Sequence, residues 1–341
     1  MNDSFRAFRI RNDDVGYHAG IESVHVDDLS SGEVVIKTAY SSVNYKDALA
    51  GTGKGKILRR FPLNGGIDVA GHVVASSYPT FEEGDAVLCT GCGLSETRDG
   101  GYAEYARLDA KWTIPLPKGL SLRESMILGT AGFTAALALY RMRDNRQSPE
   151  LGPIAVTGAT GGVGMLAVDI FNRTGFEVHA ISGKPEHADF LKTLGAREVL
   201  DRHELALGKH ALGNKPLEQT RFGGAVDNAG GALLAQLLAC TVPYGNVASI
   251  GLAADAKLDT TVMPFIIRGV SLLGIASAGT ARDIREAIWQ HLASDWKPAH
   301  LDRVCTREVA LDELPGVFDA MLSGQSFGRT LVRIADETPS D

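Results

Sequence analysis

The residues with the clearest chemical meaning are four glycines that follow a short apolar segment. Gly158, Gly161, Gly162 and Gly164 come directly after residues 154–157, and apolar residues then recur at helical spacing. This pattern predicts a buried parallel strand, a tight turn and a helix. Such a turn lets a phosphate approach bare main chain, where the N–H groups at the start of the helix hold a pyrophosphate. A second apolar segment follows at crossover distance, so a dinucleotide-binding turn is predicted rather than a purely structural one.

The choice of dinucleotide depends on the end of the second predicted strand. NAD-binding enzymes carry an acidic residue there for the ribose hydroxyls. This strand instead ends at Ser182, Gly183 and Lys184, and Arg202 follows the third predicted strand. Ser182, Lys184 and Arg202 are suited to a 2′-phosphate, which predicts NADPH; solvated surface charges are the alternative for the two basic residues. The residues predicted to bind the pyrophosphate are Gly161, Gly162, Val163, Gly164 and Met165.

The elements that position these residues divide the sequence into two parts. Short alternating segments separated by turns predict a small β-barrel in the first part, up to about residue 125. From there a small apolar helix leads into alternating strands and helices, the pattern of a doubly wound parallel sheet. The length of 341 residues allows two domains, at roughly 150 residues per domain. The predicted fold class is therefore α/β.

Composition narrows the class of protein further. The net charge of −7 provides no overall positive field, so a nucleic-acid partner is not expected. The first residues are polar and charged, and no apolar segment approaches the roughly 18 residues of a membrane helix. Four cysteines in a chain of this length do not indicate a disulfide framework. We therefore expect a cytoplasmic protein with a small-molecule substrate and no membrane partner.

Several segments together resemble the zinc-independent medium-chain dehydrogenase/reductases, in the quinone oxidoreductase branch and nearest to its acrylyl-CoA reductase group. These segments are residues 41–48, 51–57, 129–135, 260–266 and 328–332. The resemblance implies a GroES-like substrate domain over residues 1–126, completed by residues 300–341. It also implies a Rossmann dinucleotide-binding domain over residues 127–299, and a homodimer formed through the edge near residues 270–275.

The resemblance also raises the question of zinc, because related alcohol dehydrogenases require it. In those relatives a cysteine precedes the position of Asn44, and a His-Glu pair follows the position of Gly71. In this sequence Ser41 and Ser42 stand where that cysteine would be, and His72 is followed by Val73 instead of glutamate. No metal is therefore expected. Cys89 and Cys92 are too few for a structural zinc site; they are either a redox-active pair or, as we favour, two ordinary thiols.

The implied reaction is hydride transfer to the β-carbon of an α,β-unsaturated carbonyl, followed by protonation at the α-carbon. Asn44 and Tyr45 are the predicted catalytic residues, because charge that develops on the carbonyl oxygen needs hydrogen-bond donors. Water, a cofactor ribose hydroxyl and Tyr45 all remain possible proton sources. Further cofactor contacts are expected at the nicotinamide end, from Tyr45, Thr130, Gly251, Leu252, Ile266 and Ser277.

The expected substrate is a 2-enoyl-CoA, most specifically acrylyl-CoA. A basic cluster of Lys54, Lys56, Arg59 and Arg60 is suited to the phosphates of coenzyme A, or is a solvated charged loop. Two other functions stay open. One is a quinone or free-enone reductase that uses NADPH, and the other is a protein that binds NADPH as a sensor without turnover.

Overall fold

The structure is a computed structural model that describes residues 4–202 and 216–335. The strands in these ranges are β1 (Phe5–Asp13), β2 (Gly16–Val24), β3 (Val34–Val43), β4 (Leu63–Asn64), β5 (Asp68–Ser76), β6 (Ala86–Thr90), β7 (Tyr105–Leu108), β8 (Ile114–Pro115), β9 (Ile154–Thr157), β10 (Val178–Ser182), β11 (Ala196–Asp201), β12 (Phe222–Asp227), β13 (Thr241–Ser249), β14 (Ser271–Gly274), β15 (Cys305–Val309) and β16 (Arg329–Arg333).

The helices in the same ranges are α1 (Tyr45–Thr52), α2 (Leu122–Asp144), α3 (Gly162–Arg173), α4 (Ala188–Thr193), α5 (Gly231–Cys240), α6 (Met263–Arg268), α7 (Arg282–Leu292), α8 (Leu301–Val304) and α9 (Leu314–Leu322). Short 3-10 turns lie at Val26–Asp28, Pro149–Leu151, Pro185–His187, Ser277–Gly279 and Leu311–Glu313. Within the part of the chain described, no helix is both long and apolar enough to cross a membrane.

The chain divides by its internal contacts into two units. The first comprises Met1–Thr130, Ala278–Ala293 and Leu301–Asp341, and the second comprises Ala131–Ser277 and Ser294–His300. The domain limits expected from the sequence, 1–126 with 300–341 and 127–299, differ mainly in the place of α7. That helix groups with the first unit because its buried Arg285 donates to the carbonyl oxygen of Thr90 at 3.0 Å. Residues 1–3, 203–215 and 336–341 of the expected domains lie outside the described ranges.

The first unit is built on antiparallel pairing. One sheet has the order β2-β1-β4, and a larger one has the order β15-β16-β3-β5-β6-β8, with β7 also pairing with β3. The strand β16 lies antiparallel to β3, with Leu331 opposite Ser42. On the other side of β3, β5 is antiparallel as well, so residues distant in sequence become neighbours at one end of β3. An apolar core that includes Phe8, Leu63 and Phe318 packs beneath these sheets.

The second unit is organised by one parallel sheet with the order β11-β10-β9-β12-β13-β14. Every pair in that sheet is parallel, and β9 at its centre is completely buried. The chain runs outward from β9 to β11, then returns to the other side of β9 and runs outward again through β12. That reversal creates a switch point between β9 and β12, where ligands bind in open parallel sheets of this kind.

Candidate active site

A buried carboxylate, that of Asp68 at the start of β5, is the centre of the polar residues in the first unit. It accepts hydrogen bonds from Thr130 Oγ1 at 2.6 Å, Ser42 Oγ at 2.6 Å and Asn44 Nδ2 at 2.8 Å. The main-chain N–H of Thr130 adds a fourth donor at 3.0 Å. A buried charge is tolerated when it is surrounded by donors in this way. The Asp68 carboxylate therefore fixes the positions of three side chains from two segments, the end of β3 and the long helix α2.

A buried guanidinium, that of Arg329 at the start of β16, balances this carboxylate. Its Nη2 lies 3.9 Å from Asp68 Oδ2 and donates to Ser42 Oγ at 2.6 Å, so the serine hydroxyl bridges the two charges. Further donations reach the oxygens of Val43 at 2.9 Å and Asn44 Oδ1 at 3.2 Å. Burial lowers the pKa of Arg329, and the carboxylate of Asp68 opposes that fall. The pair is held by well-formed hydrogen bonds on both sides.

A second buried carboxyl group, that of Asp47 in α1, completes the cluster. Its Oδ2 accepts from the N–H of Asn44 at 2.8 Å and from Asn44 Nδ2 at 3.2 Å, and its Oδ1 accepts from the N–H of Ile67 at 2.9 Å. Burial, and then the charge of Asp68, raise the pKa of Asp47 to about 7. Near neutral pH this group therefore exchanges between an acceptor and a proton-bearing donor.

The main chain of Gly129 lies directly against the cluster. Its φ of +49° and ψ of −155° interrupt the helical geometry of α2. A Cβ at this position would lie 2.5 Å from Asp68 Oδ2 and 2.7 Å from Ser42 Oγ. Only glycine allows both this conformation and this approach. The interruption of α2 is thus the feature that lets the N–H of Thr130 reach the Asp68 carboxylate.

The structure brings two of the residues predicted from the sequence into this cluster and leaves one outside it. Asn44 donates both hydrogens of its amide to carboxylates, so the orientation of its side chain is fixed. Thr130 donates its hydroxyl to Asp68, and its predicted contact with the cofactor stays a prediction. Tyr45, the first residue of α1, is 55% exposed, and its side chain makes no hydrogen bond within the described ranges.

Sequence reasoning missed Asp47, Asp68 and Arg329 as members of the site. A signal was present for two of them, because Asp68 and Arg329 are charged residues that begin strongly apolar strands. A charge at the edge of a buried strand requires a partner, and the strand pairing supplies it. Asp47 had no such signal, since an aspartate in the first turn of a helix is an ordinary capping residue.

In the second unit, the glycine turn lies between β9 and α3. Gly158 has a φ of +58°, and a Cβ on Gly164 would lie 2.2 Å from the carbonyl oxygen of Gly158. The turn and the helix therefore pack so closely that only glycine fits. Gly161 is the N-cap, so the N–H groups of Gly162, Val163 and Gly164 belong to the open end of α3. Met165 differs from expectation, because its N–H donates to Gly161 at 2.9 Å and its side chain is buried.

Polar groups at the ends of β9 and β12 join the two strands at the switch point. Thr157 Oγ1 donates to Asp227 Oδ1 at 2.7 Å, and Asn228 Nδ2 donates to the carbonyl oxygen of Thr157 at 2.7 Å. Burial raises the pKa of Asp227, which also accepts from the N–H of Gly230 at 2.8 Å. These contacts were not predicted, although a polar pair at the end of an apolar strand was visible in the sequence.

The residues predicted to select the dinucleotide do come together. Ser182 ends β10 and accepts a hydrogen bond from the N–H of Lys184 at 3.0 Å. The exposed guanidinium of Arg202 lies over Gly183, since a Cβ on that glycine would be 2.5 Å from Arg202 Nε. Because residue 183 is glycine, the guanidinium packs directly on the main chain at the carboxyl end of β10.

The remaining predicted cofactor residues lie in two loops and a short helix of the second unit, after β13 and on both sides of β14 along the chain. Gly251 follows β13, and its N–H donates to the carbonyl oxygen of Asp227 at 3.3 Å. Ser277 follows β14 and is half-buried. Leu252 and Ile266 are 66% and 69% exposed. Their side chains are thus largely accessible to a ligand.

Two further expectations concern metals and the basic cluster. In residues 4–202 and 216–335, no group of three or more His, Cys, Asp or Glu side chains is arranged to hold a metal ion.

The basic cluster is divided, because Arg59 pairs with Glu96 at 3.1 Å and Arg60 donates to Ser30. Lys54 and Lys56 are exposed and have no ion-pair partner among the residues described.

Comparison with known proteins agrees with this architecture. Residues 30–118 match the family described as "Alcohol dehydrogenase GroES-like domain", and residues 162–294 match "Zinc-binding dehydrogenase". The protein "Putative quinone oxidoreductase YhfP" of Bacillus subtilis is 46% identical over 98% of this chain and all of its own. "Acrylyl-CoA reductase AcuI" of Ruegeria pomeroyi is 41% identical over 93% of this chain and 94% of its own. The chain belongs to the medium-chain dehydrogenase/reductase family.

Two solved structures are similar to this protein over nearly the whole chain. The yhdH oxidoreductase of Salmonella enterica, crystallised with NADP, is 42% identical, covers 97% of this chain and all of its own, and has a TM-score of 0.92. The Bacillus subtilis protein yhfP, crystallised with NAD, is 44% identical, covers 97% and 99% of the two chains, and has the same TM-score. The GroES-like domain and the Rossmann sheet predicted from the sequence are both confirmed.

Proposed function

We propose that this protein reduces the carbon–carbon double bond of a 2-enoyl-CoA, acrylyl-CoA to propionyl-CoA in the first instance, with NADPH and without a metal. The observation that carries the proposal is the buried cluster around Asp68, in a chain that matches a named acrylyl-CoA reductase over 93% of its length. Burying these charged and polar groups costs free energy, and the cluster holds Asn44 in one orientation. Such a cost is expected where a group must be positioned for reaction.

The second unit supports the cofactor part of the proposal. The open N–H groups at the start of α3 and the close packing of Gly158 on Gly164 fit a pyrophosphate, and Arg202 over Gly183 fits a 2′-phosphate. When bound, NADPH supplies a hydride to the β-carbon of the enoyl thioester. NADPH is also the cofactor suggested by the relative crystallised with NADP, whereas the relative crystallised with NAD makes NADH the comparison to test.

The polar residues around Asp68 in the first unit have different roles in the proposed reaction. Asp68 and Arg329 hold Asn44 and Ser42 in place, and Asp47 exchanges a proton near neutral pH beside the Asn44 amide. Tyr45 is the exposed hydroxyl next to this cluster in the sequence, so it stays a candidate for contact with substrate or cofactor. The proton that reaches the α-carbon comes from Tyr45, from water or from a ribose hydroxyl.

The side chains of Lys54 and Lys56 are proposed to bind the phosphates of coenzyme A. They are the two members of the basic cluster without a partner in the described residues, so binding an anion would break no existing contact. Replacing both with alanine should raise KM for an acyl-CoA about tenfold, which corresponds to the loss of two exposed ion pairs. KM for a small free enone should not change. The matched control is Lys118→Ala, another exposed lysine. An equal effect on both substrates would contradict this assignment.

The decisive experiment compares initial rates of NADPH and NADH oxidation with acrylyl-CoA, crotonyl-CoA and a small quinone. The proposal expects the highest kcat/KM with NADPH and acrylyl-CoA. The name of the YhfP relative supports a second candidate, a quinone reductase, which would show its highest kcat/KM with the quinone. Binding of NADPH without turnover of any substrate would instead indicate a sensor. Asp68→Asn serves as the variant that should abolish turnover while NADPH still binds.

A further inference from the structure

Two cysteines at the end of β6 form a pair that the proposed function does not use. Cys89 lies within β6 and is buried, whereas Cys92 is partly exposed in the turn that follows the strand. Both pack against one apolar cluster that includes Val69, Val87 and Leu94. The thiol of each cysteine is the largest influence on the pKa of the other. The fold therefore places the two cysteines at one apolar cluster, three residues apart.

The turn that carries Cys92 has an unusual backbone. Gly91, Cys92 and Gly93 have consecutive positive φ angles of 68°, 52° and 85°. Positive φ is uncommon for a residue with a side chain, because the Cβ crowds the neighbouring carbonyl oxygen. Here it occurs in the turn that directly follows the strand holding Cys89, and Cys92 packs against the same apolar cluster as Cys89. A strained, partly exposed thiol beside a buried one is the arrangement found where cysteines react.

A buried arginine from α7 stabilises the turn. Arg285 donates to the carbonyl oxygen of Thr90 at 3.0 Å and to Thr90 Oγ1 at 3.1 Å, between the two cysteines in sequence. The neighbouring thiol of Cys89 lowers the pKa of Cys92, and the charge of Arg285 lowers it further against the effect of burial. The presence of Cys92, together with burial, raises the pKa of Cys89. One sulfur is thus disposed to be the thiolate and the other to keep its proton.

We propose that Cys89 and Cys92 are a redox-active dithiol that closes to a reversible disulfide by exchange with small-molecule disulfides. The Cys92 thiolate attacks one sulfur of the small disulfide, a mixed disulfide forms at Cys92, and one small thiolate leaves. Cys89 then loses its proton, its sulfur attacks the Cys92 sulfur, and the second small thiolate leaves. Two protein thiols are oxidised, and one small disulfide is reduced to two thiols.

The other cysteines of the chain provide an internal comparison. Burial raises the pKa of Cys240 to about 12 and also raises the pKa of Cys305. Neither has a second thiol as a partner. Reaction with a small disulfide should therefore select Cys92, and only Cys92 has a neighbour that can release the small thiol again. The inference does not depend on which substrate the protein reduces.

The test uses the full-length protein and oxidised glutathione, followed by intact mass and peptide mapping. The natural protein should lose two hydrogen atoms through a Cys89–Cys92 bond and retain no stable glutathione adduct. Cys89→Ala should instead trap one glutathione on Cys92, and Cys92→Ser should take none at either position. Alkylation of Cys92 should be at least about tenfold faster than that of Cys305, because only the thiolate reacts. The variants Cys240→Ser and Cys305→Ser are the matched controls and should still form the disulfide.

Two results would overturn the proposal. One is a stable glutathione adduct at Cys92 in the natural protein, which would mean that Cys89 cannot reach it. The other is modification of Cys305 alone, with Cys92 unreactive. Because Cys89→Ala alters a buried position, its melting temperature is measured first; if it does not fold, mass analysis of the natural protein decides between the outcomes.

Discussion

The replacement of Arg202 by alanine tests the proposed choice of NADPH over NADH most directly. The Arg202 guanidinium lies over Gly183 at the carboxyl end of β10, and Ser182 ends that strand. A hydrogen bond to a charged partner contributes about 1.5 to 3 kcal/mol. Arg202 is exposed, so the lower part of that range applies, and KM for NADPH should rise roughly 10- to 30-fold. KM for NADH should not change, because NADH lacks the 2′-phosphate.

The assay measures KM for both cofactors at fixed acrylyl-CoA, and Kd for both by fluorescence. Arg197→Ala is the matched control, because Arg197 is an exposed arginine on β11, the strand that precedes Arg202. Gly183→Ala should reproduce the loss of NADPH preference, since the new methyl group would occupy the place of the guanidinium. Equal increases in KM for NADPH and NADH, or no increase for either, would refute the assignment of Arg202 to the 2′-phosphate.

Three further predictions concern stability and assembly. Gly129→Ala should lower the free energy of unfolding in urea by about 2 to 5 kcal/mol, because the methyl group meets Asp68 and φ is positive. The control Gly316→Ala, which has open space around it, should not lower the free energy of unfolding. Because the pKa of Asp47 is raised to about 7, the folded state binds more protons than the unfolded state between about pH 4 and 7. The free energy of unfolding should therefore fall as pH rises through that window, and it should fall less steeply in Asp47→Asn. Identical slopes for the natural protein and the variant would contradict the assignment of the raised pKa to Asp47. Leu272→Lys on the edge strand β14 should convert the expected homodimer to a monomer by light scattering, and an unchanged mass would argue against that edge.

Much of the second unit could be predicted from its sequence because its signals are local. The apolar strand, the glycine turn and the helix follow one another within residues 154–173, and each obeys its own short-range rule. The end of α2 was harder to predict. The helix continues through Arg141 to Asp144, where polar residues on an exposed helical face resemble a loop in sequence.

The Asp68 cluster could not be predicted for the opposite reason. Ser42, Asp68 and Arg329 meet only because β16 pairs with β3 on one side and β5 pairs with β3 on the other. The register of those pairs is set by the packing of the whole sheet, and no short pattern encodes it. Asn44, a predicted catalytic residue, lies in this cluster, where its amide donates to two carboxylates.

The position of Arg329 has a consequence for biosynthesis. The guanidinium that balances the buried carboxylate of Asp68 is carried by β16, and the intervening chain includes the entire parallel sheet. The charge of Asp68 therefore acquires its counter-ion only after the ribosome has released all of residues 68–329. Until then β3 has an open flank and the carboxylate is uncompensated, so the Asp68 cluster cannot form while the parallel sheet is being synthesised. A nascent chain that has not yet reached β16 carries the aspartate without the arginine that balances it.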